Sequence, residues 1–166
     1  MSITVGGNDA GFGPVIGACV VVDCVGSGNI ALARAFVVAV LPLRLAATYR
    51  AVHEAAPGAR LVVVGYPRLF PADADDVTGC PWLSEAERRG LNRAANLLNR
   101  VTRAVARHSG ARFVDVGSAL AGHELCTADS WLYPIGDLTA VRSWAHPVAE
   151  GQQAIADRVT SALRES

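Results

Sequence analysis

Lysine is absent from this 166-residue chain, whose 15 basic residues are all arginine. The absence excludes a Schiff-base lysine, a serine-lysine dyad and a phosphate-loop lysine as the basis of an activity. The arginines are balanced by 15 acidic residues, so the formal net charge is zero. A neutral chain gives no general electrostatic reason to expect nucleic acid or an anionic membrane. We therefore expect no nucleic-acid partner.

Long hydrophobic runs are also absent. The longest stretch without a charged residue, 10–22, is well short of the roughly 18 to 20 apolar residues that cross a bilayer, so we expect no membrane span. The first residues have neither the basic start nor the long apolar run of a signal peptide. With 51% hydrophobic and 18% charged residues, the chain is predicted to form one globular domain over residues 1–166.

Metal-binding cysteine pairs are a third absence, since none of the four cysteines forms a Cys-x-x-Cys pair. Structural zinc sites usually have ligands two to four residues apart, so we predict no metal site. Four cysteines allow three pairings. Closeness in sequence favours Cys19 with Cys24, and positions in two loops favour Cys80 with Cys126, which indicates an oxidising compartment. The alternative is four buried, reduced thiols.

Strand-like and helical patterns alternate along the chain, which is typical of βαβ units. The predicted elements are a strand at 3–5, helical spacing over 31–56, a strand at 61–64, a helix over 84–108, a strand at 113–116 and a helix over 149–163. Pro42 is expected to split or kink the first helix, and Ser84 with Glu87 has the spacing of a capping box. The sequence therefore predicts an α/β fold with a parallel sheet and helices on both faces.

One candidate site residue, Asn8, directly follows the first strand. Parallel sheets bind ligands beyond the carboxyl ends of their strands, and the preceding glycines permit a tight turn that aims an amide donor into a cleft. The alternative is an ordinary Gly-Asn turn. The nearby Gly11-Phe12-Gly13 is a poor dinucleotide motif, because Ile16 stands where the third glycine belongs and Pro14 removes an amide.

A second candidate is His146, one of four histidines. It lies at the end of the long irregular region 117–147, immediately before the last helix, where an imidazole can serve as a general base over a cleft. The alternative is an ordinary loop histidine. His53 and His108 lie on predicted helices, and His123 lies near Cys126 in a position that suits a structural hydrogen bond.

These segments, in this order and at this separation, resemble the SGNH hydrolases, also called GDSL esterases and lipases, and within them the secreted, disulfide-bearing actinobacterial branch. The resemblance extends over nearly the whole chain. It implies a three-layer α/β/α fold of flavodoxin-like type and hydrolysis of carboxylic esters through a serine acyl-enzyme, with no cofactor. The matching segments are Gly6-Gly7-Asn8-Asp9, Gly65-Tyr66-Pro67, Cys80-Pro81-Trp82, Gly122-His123-Glu124-Leu125-Cys126 and Ser143-x-x-His146-Pro147.

The resemblance also implies roles for the matched residues. Asn8 is expected to donate its amide to the oxyanion of the tetrahedral intermediate, and His146 to act as general base and then general acid. Gly7 and Trp144 are expected to line the substrate site. Many members have aspartate three residues before the histidine. Here that residue is Ser143, whose backbone carbonyl is expected to orient the imidazole in a dyad.

The largest departure from the family concerns the nucleophile. The family's Gly-Asp-Ser block and its glycine oxyanion donor precede the Gly-x-Asn-Asp block, at which this chain starts. We therefore expect the first strand and helix of the family fold to be missing, the isolated chain to be inactive and an exposed sheet edge to permit self-association. Ser118 superficially resembles a nucleophile turn and Ser27 lies between glycines, but neither has the required context. Asp115 and Asp137 match no motif for a helper acid.

Two functions follow from these patterns. The first is a secreted esterase or lipase whose complete parent hydrolyses small-molecule or lipid esters with His146 and Asn8. The alternative is a degenerate, non-catalytic α/β domain that keeps a ligand cleft or an interaction surface. Turnover of an ester that is lost on replacement of His146 distinguishes the first from the second.

Overall fold

The centre of the fold is a parallel sheet of three short strands. The computed structural model describes residues 1–71, 79–136 and 143–165, and its strands are β1 (Ser2–Ile3), β2 (Val62–Val64) and β3 (Arg112–Val114). Their order is β1-β2-β3, and all pairs are parallel. The loops that follow the three strands therefore meet at one end of the sheet, and β1 forms an edge of the described sheet. Asp137 lies outside the described residues.

Five helices surround the sheet in the described part of the chain. They are α1 (Phe12–Val21), α2 (Asn29–Ala39), α3 (Leu41–Ala55), α4 (Glu85–His108) and α5 (Ala149–Arg164). Val63 of the middle strand packs with α3 and α4, whereas Val62 and Val64 pack with Ile155 and Val159 of α5. Alternate residues of β2 thus face opposite helix layers. The three-layer α/β/α architecture predicted from the sequence is confirmed.

The longest helix, α4, begins at the predicted capping box. The Ser84 hydroxyl accepts from the Glu87 amide at 3.3 Å, and Glu87 Oε2 accepts from the Ser84 amide at 2.9 Å. Glu87 is buried, and its other oxygen accepts from the Cys24 amide at 3.1 Å. One carboxylate therefore stabilises the start of α4 and holds the loop between α1 and α2 against it.

The helical pattern around Pro42 divides as predicted. The helices α2 and α3 meet at Val40 with a bend of 50°, and Pro42 lies in the first turn of α3, where its missing amide costs little. Among the described helices, none alone is long and apolar enough to cross a membrane. By length and composition alone, the bent pair α2 and α3 meets that requirement.

Helix α1 is the element that the sequence did not predict. Gly13, Pro14 and Gly17 fall within it, and such residues usually indicate turns. Pro14 is tolerated because it stands in the first turn, where the amide has no helical partner. Ile16 and Cys19 are buried, and the other positions are mostly apolar as well, so no helical periodicity distinguishes the buried face.

The predicted cysteine pairing is confirmed. Disulfides join Cys19 to Cys24 and Cys80 to Cys126, so none of the four cysteines is free. Both bonds lie in a core cluster that packs the loops beyond the carboxyl ends of the strands. That cluster also holds the buried residues Phe70, Leu120, Leu125 and Leu132. The described part of the irregular region after β3 is therefore held by its own apolar side chains and a covalent link.

The hydroxyl of Tyr49 is a costly group in the core beside β1. Tyr49 is fully buried, and no described group hydrogen-bonds its Oη. An unpaired buried hydroxyl costs roughly 1–3 kcal/mol. We expect Tyr49→Phe to raise the free energy of unfolding by about 1 kcal/mol in urea denaturation at pH 7. Tyr133→Phe, which removes the hydroxyl of an exposed tyrosine, is the matched control and is expected to change little.

The same substitution is expected to change the alkaline stability. Burial, and secondly the nearby Tyr66, raises the pKa of Tyr49 to about 12. Because the unfolded-state pKa is about 10, the unfolded chain releases this proton first, and stability falls as the pH rises from about 10 to 12, by at most about 3 kcal/mol. Tyr49→Phe removes this contribution. Identical pH dependence of the two proteins between pH 9 and 12 would contradict the assignment.

Candidate active site

The turn after β1 positions Asn8 at the carboxyl end of the sheet. Gly6 has φ of +108°, which favours glycine, and packs against Leu41 and Leu45 of α3. The Ala10 amide donates to the Gly6 carbonyl at 3.0 Å and closes the turn. Asn8 is exposed at its tip. The two glycines of the turn are buried, and the Asn8 side-chain amide points away from them into the solvent-exposed space.

Gly7 is fixed by a tyrosine from the loop after β2. Its amide donates to the Tyr66 hydroxyl at 2.8 Å. A Cβ at position 7 would lie 2.9 Å from the same oxygen and about as close to the ring, so only glycine fits beneath Tyr66. Burial raises the pKa of Tyr66, the hydrogen bond from Gly7 opposes this, and Asp9 raises it further. Tyr66 is therefore a neutral acceptor at neutral pH.

The segment that presents His146 is paired with the segment around Leu132 and Tyr133. The Tyr133 amide donates to the His146 carbonyl at 2.9 Å, and the Ala145 amide donates to the Tyr133 carbonyl at 3.0 Å. Leu132 and Pro147 form an isolated antiparallel bridge. These bonds leave the His146 side chain exposed at the start of α5. The backbone is thus ordered while the imidazole stays accessible.

The imidazole is oriented by a carbonyl two residues before it. His146 Nδ1 lies 3.1 Å from the Trp144 carbonyl oxygen, so Nδ1 donates and Nε2 is left with its lone pair. The family resemblance led us to expect the Ser143 carbonyl in this position. In the structure the Ser143 carbonyl instead accepts from the His146 amide at 2.9 Å. The difference arises at Ala145, whose φ of +59° turns the chain and brings the Trp144 carbonyl to Nδ1.

Asn8 and His146 line the same cleft, beyond the carboxyl ends of β1 and β2. Its volume is about 430 Å³, and Gly7 and Tyr66 form part of its wall. A more open recess of about 570 Å³ shares Asn8 and His146 and includes the predicted residue Trp144, which is buried. A narrow side pocket between α2 and α4 is apolar, with Gly7, Phe12, Ala33, Val37, Leu91, Ala94, Ala95 and Leu98 among its lining.

No serine or cysteine lines this cleft among the described residues. Ser118 lies exposed in the turn after β3, and Ser27 lies exposed between α1 and α2. The described cleft therefore presents a base and an amide donor without a serine or cysteine nucleophile, and its one hydroxyl-bearing aliphatic residue is Thr4.

The other histidines and Asp115 have structural partners. His53 Nε2 lies 3.0 Å from the Ser109 carbonyl, and His108 Nδ1 lies 2.8 Å from the Ala104 carbonyl. His123 stacks on Trp131 with ring centroids 3.6 Å apart. Asp115 pairs with Arg103 and accepts from the Gly117 amide. None of these groups lines the described cleft.

Two asparagines on α4 support the site and were missed by the sequence reasoning. Asn99 is buried, and its amide bonds both the backbone N–H and the carbonyl of Tyr66 at 2.8 Å. Asn92 binds the backbone of Leu69 and Phe70 in the same way. Their spacing of seven residues places both on one helix face, which is the only signal the sequence offers.

A metal site is not supported by the described groups. The one candidate cluster found among them is Cys19, Cys24 and Glu87, and both of its sulfurs belong to a disulfide. The cleft instead combines an imidazole, whose Nε2 has no hydrogen-bond partner among the described residues, with a side-chain amide at the carboxyl end of a parallel sheet. An imidazole and an amide donor are two of the groups that acyl-enzyme hydrolases use.

Comparison with known proteins gives the family. The GDSL-like lipase/acylhydrolase family matches residues 1–154, and the chain belongs to it. Lipase 1 of Streptomyces coelicolor is 39% identical over 155 residues, and a lipase of Streptomyces rimosus is 39% identical over 153 residues. Each match covers 92% of this chain. The chain spans about half, 55%, of the length of each relative.

Solved structures agree with this relationship. The crystal structure of the extracellular lipase from S. rimosus superposes with a TM-score of 0.86 at 38% identity, over 97% of this chain and 68% of that one. Phospholipase A1 from Streptomyces albidoflavus NA297 gives 0.85 at 39% identity, over 96% and 67%. The family resemblance stated from the sequence is therefore confirmed.

Proposed function

We propose that the protein hydrolyses carboxylic esters, with His146 as the general base and Asn8 as an oxyanion donor. The observation that supports the proposal is that both side chains line one cleft although 138 residues separate them in sequence. Membership of the lipase/acylhydrolase family and the similarity to two Streptomyces lipases support the same chemistry.

The proposed reaction follows the acyl-enzyme scheme. A serine oxygen attacks the ester carbon while His146 Nε2 takes the serine proton, and the Asn8 amide donates to the resulting oxyanion. When the intermediate collapses, the C–O bond to the alcohol breaks and the imidazolium returns the proton to the leaving oxygen. Water then enters with the same base and releases the acid. The Trp144 carbonyl stabilises the imidazolium through its hydrogen bond to Nδ1.

The serine is proposed to belong to a segment that this chain does not contain. The family resemblance places a Gly-Asp-Ser block before the Gly-x-Asn-Asp turn, and the chain has no such block. The absence of serine from the described cleft lining is consistent with this. We propose that the segment adds to the sheet beside β1, the edge strand nearest the Asn8 turn, and that without it this edge permits self-association.

A labelling experiment tests the nucleophile. A fluorophosphonate probe is expected to leave the 166-residue chain unlabelled. It is expected to label one serine after the segment that precedes the matched region in the S. rimosus lipase is fused ahead of Met1. A folded fusion that stays unlabelled and inactive would overturn the proposed function. Labelling of the original chain at Ser118 would overturn the nucleophile assignment alone.

The substrate is proposed to carry an apolar acyl chain. The narrow pocket between α2 and α4, about 50 Å³ in volume, is lined by apolar side chains and by Arg34, and it opens beside Gly7, one residue from the oxyanion donor. Burial of each methylene there contributes about 0.8 kcal/mol. The similar proteins include lipases and a phospholipase A1, and one of those lipases is extracellular. Two disulfides support the same secreted location for this protein.

One observation favours a second candidate. Because the described cleft lining holds no serine or cysteine, the chain alone fits a non-catalytic α/β domain that keeps a ligand cleft. This alternative predicts no turnover of p-nitrophenyl esters and no change in ligand binding on His146→Ala. Turnover by the fusion protein that disappears on this substitution would exclude it.

A further inference from the structure

Tyr66 connects the core of the fold to the turn that carries Asn8. Its hydroxyl oxygen accepts from the Gly7 amide at 2.8 Å, and Gly7 immediately precedes Asn8. Tyr66 lines the cleft but is itself only half-buried, whereas Asn8 is exposed. An exposed amide can stabilise an oxyanion efficiently only if its turn is held in place before the substrate arrives.

The position of Tyr66 is fixed by the buried Asn99 of α4. The Asn99 Oδ1 accepts from the Tyr66 amide, and the Asn99 Nδ2 donates to the Tyr66 carbonyl, both at 2.8 Å. Gly65 makes this approach possible, because a Cβ there would lie 3.0 Å from Asn99 Oδ1 and 2.8 Å from the Phe113 ring. Two hydrogen bonds from a long packed helix leave the Tyr66 backbone little freedom.

We propose that Tyr66 is a positioning residue for the oxyanion donor, and that Asn99, Tyr66 and Gly7 form a hydrogen-bonded connection from α4 to the Asn8 turn. This inference rests on the proposed ester hydrolysis for its catalytic meaning. The geometric part stands without it. Gly7 is then required for two reasons, since its amide donates to Tyr66 and its missing side chain lets the tyrosine ring lie against the turn.

Three possible roles of Tyr66 predict different effects of its replacement on kcat and on stability. A tyrosine that contacts the substrate directly contributes independently of Asn8. A tyrosine that only stabilises the fold lowers the unfolding temperature without changing kcat of the folded protein. A positioning residue lowers kcat through Asn8, so its effect disappears once the Asn8 amide is gone.

The first experiment uses the 166-residue chain and needs no activity. In Tyr66→Phe, the Gly7 amide proton is expected to shift upfield in ¹H–¹⁵N NMR spectra and to exchange faster, and the Asn8 side-chain amide signals are expected to move with it. Tyr49→Phe is the matched control, because it removes a buried tyrosine hydroxyl that makes no hydrogen bond to any described residue. An unchanged Gly7 amide in Tyr66→Phe would overturn the proposal, whatever the activity of the protein.

The second experiment uses the fusion protein that carries the nucleophile. Tyr66→Phe is expected to lower kcat for p-nitrophenyl butyrate about fivefold to tenfold, the usual effect of one lost hydrogen bond, with KM within a factor of two. In an Asn8→Ala background the same substitution is expected to lower kcat less than twofold. An equal fall in both backgrounds would show direct contact with the substrate and would overturn the positioning role.

If the fusion protein is inactive, the two proposals can still be judged separately. Inactivity would contradict ester hydrolysis, while the NMR result would still decide whether Tyr66 holds the Gly7-Asn8 turn. Asn99→Asp tests the other end of the connection, since aspartate keeps an acceptor for the Tyr66 amide and loses the donor to its carbonyl. It is expected to move the same Gly7 signal by less than Tyr66→Phe does, and no movement at all would exclude Asn99 from the connection.

Discussion

Replacement of His146 by alanine is expected to lower kcat/KM of the fusion protein for p-nitrophenyl butyrate by a factor of roughly 10⁴ or more. The loss is large because one imidazole performs two steps, removal of the serine proton and its delivery to the leaving alcohol. Among the described residues that line the cleft, no other side chain is a histidine, aspartate or glutamate except Asp9, which pairs with Arg44 at 3.1 Å. No nearby group is therefore placed to substitute.

Two further variants give this prediction its controls. Asn8→Ala is expected to cost about 10²- to 10³-fold, the usual effect of removing one oxyanion donor, and so to lie between wild type and His146→Ala. His108→Ala, at the exposed end of α4, removes a histidine far from the cleft and is expected to leave activity unchanged. Activity within tenfold of wild type in His146→Ala would contradict the assignment of the base.

Much of the fold was predictable because local chemistry determines it. Ser84 and Glu87 form the capping box that their spacing predicts, and Pro42 divides the helical pattern where its missing amide is tolerated. Helix α1 was not predictable, because its apolar residues occur all round and its glycines and proline are typical of turns. The strand boundaries also shifted by one or two residues, since strands this short end where sheet pairing ends.

The sequence predicted that Asn8 and His146 share a site, and both line the described cleft, but it did not predict the contacts that support them. The predicted roles of Asn8 and His146 come from the family resemblance, because each position taken alone also fits an ordinary turn or loop residue. The carbonyl that orients His146 depends on the left-handed backbone of Ala145, for which the sequence has no signal. The contact of Tyr66 with Gly7 joins residues 59 apart and depends on how the two loops pack.

The supporting contacts made by asparagines join α4 to the loop after β2, and contacts between distant segments leave no local sequence pattern. Asn92 and Asn99 lie two turns apart on α4 and bind successive parts of the loop after β2 through paired backbone hydrogen bonds. A loop that packs beneath a helix needs partners for its buried amides and carbonyls, and an asparagine side chain supplies one donor and one acceptor together. The polar residues on the buried side of α4 therefore serve the site as well as the core.

The two disulfides are expected to differ in their effect on stability. Removing the bond that closes the 46-residue loop, with Cys80→Ser and Cys126→Ser, is expected to lower the free energy of unfolding by about 4 kcal/mol, and removing the five-residue link, with Cys19→Ser and Cys24→Ser, by about 2 kcal/mol. The reason is that a longer closed loop removes more conformational freedom from the unfolded chain.

The surroundings of the two disulfides are expected to increase the difference between their effects on stability. The Cys80–Cys126 bond joins the segment before α4 to the loop after β3, and beside it the Leu125 amide donates to the Leu69 carbonyl at 2.8 Å. Leu69 lines the cleft, so release of these loops is expected to lower the activity of the fusion protein at temperatures where the variant is still folded. The Cys19–Cys24 link lies next to Glu87, which keeps its hydrogen bond to the residue 24 amide when the sulfur is replaced.

Urea denaturation of both double variants measures the two losses in the free energy of unfolding. The loss of about 4 kcal/mol expected without the Cys80–Cys126 bond corresponds to a melting temperature about 8 to 16 °C below that of the unmodified chain. Equal costs for the two pairs, or a larger cost for the short loop, would contradict the loop-entropy explanation.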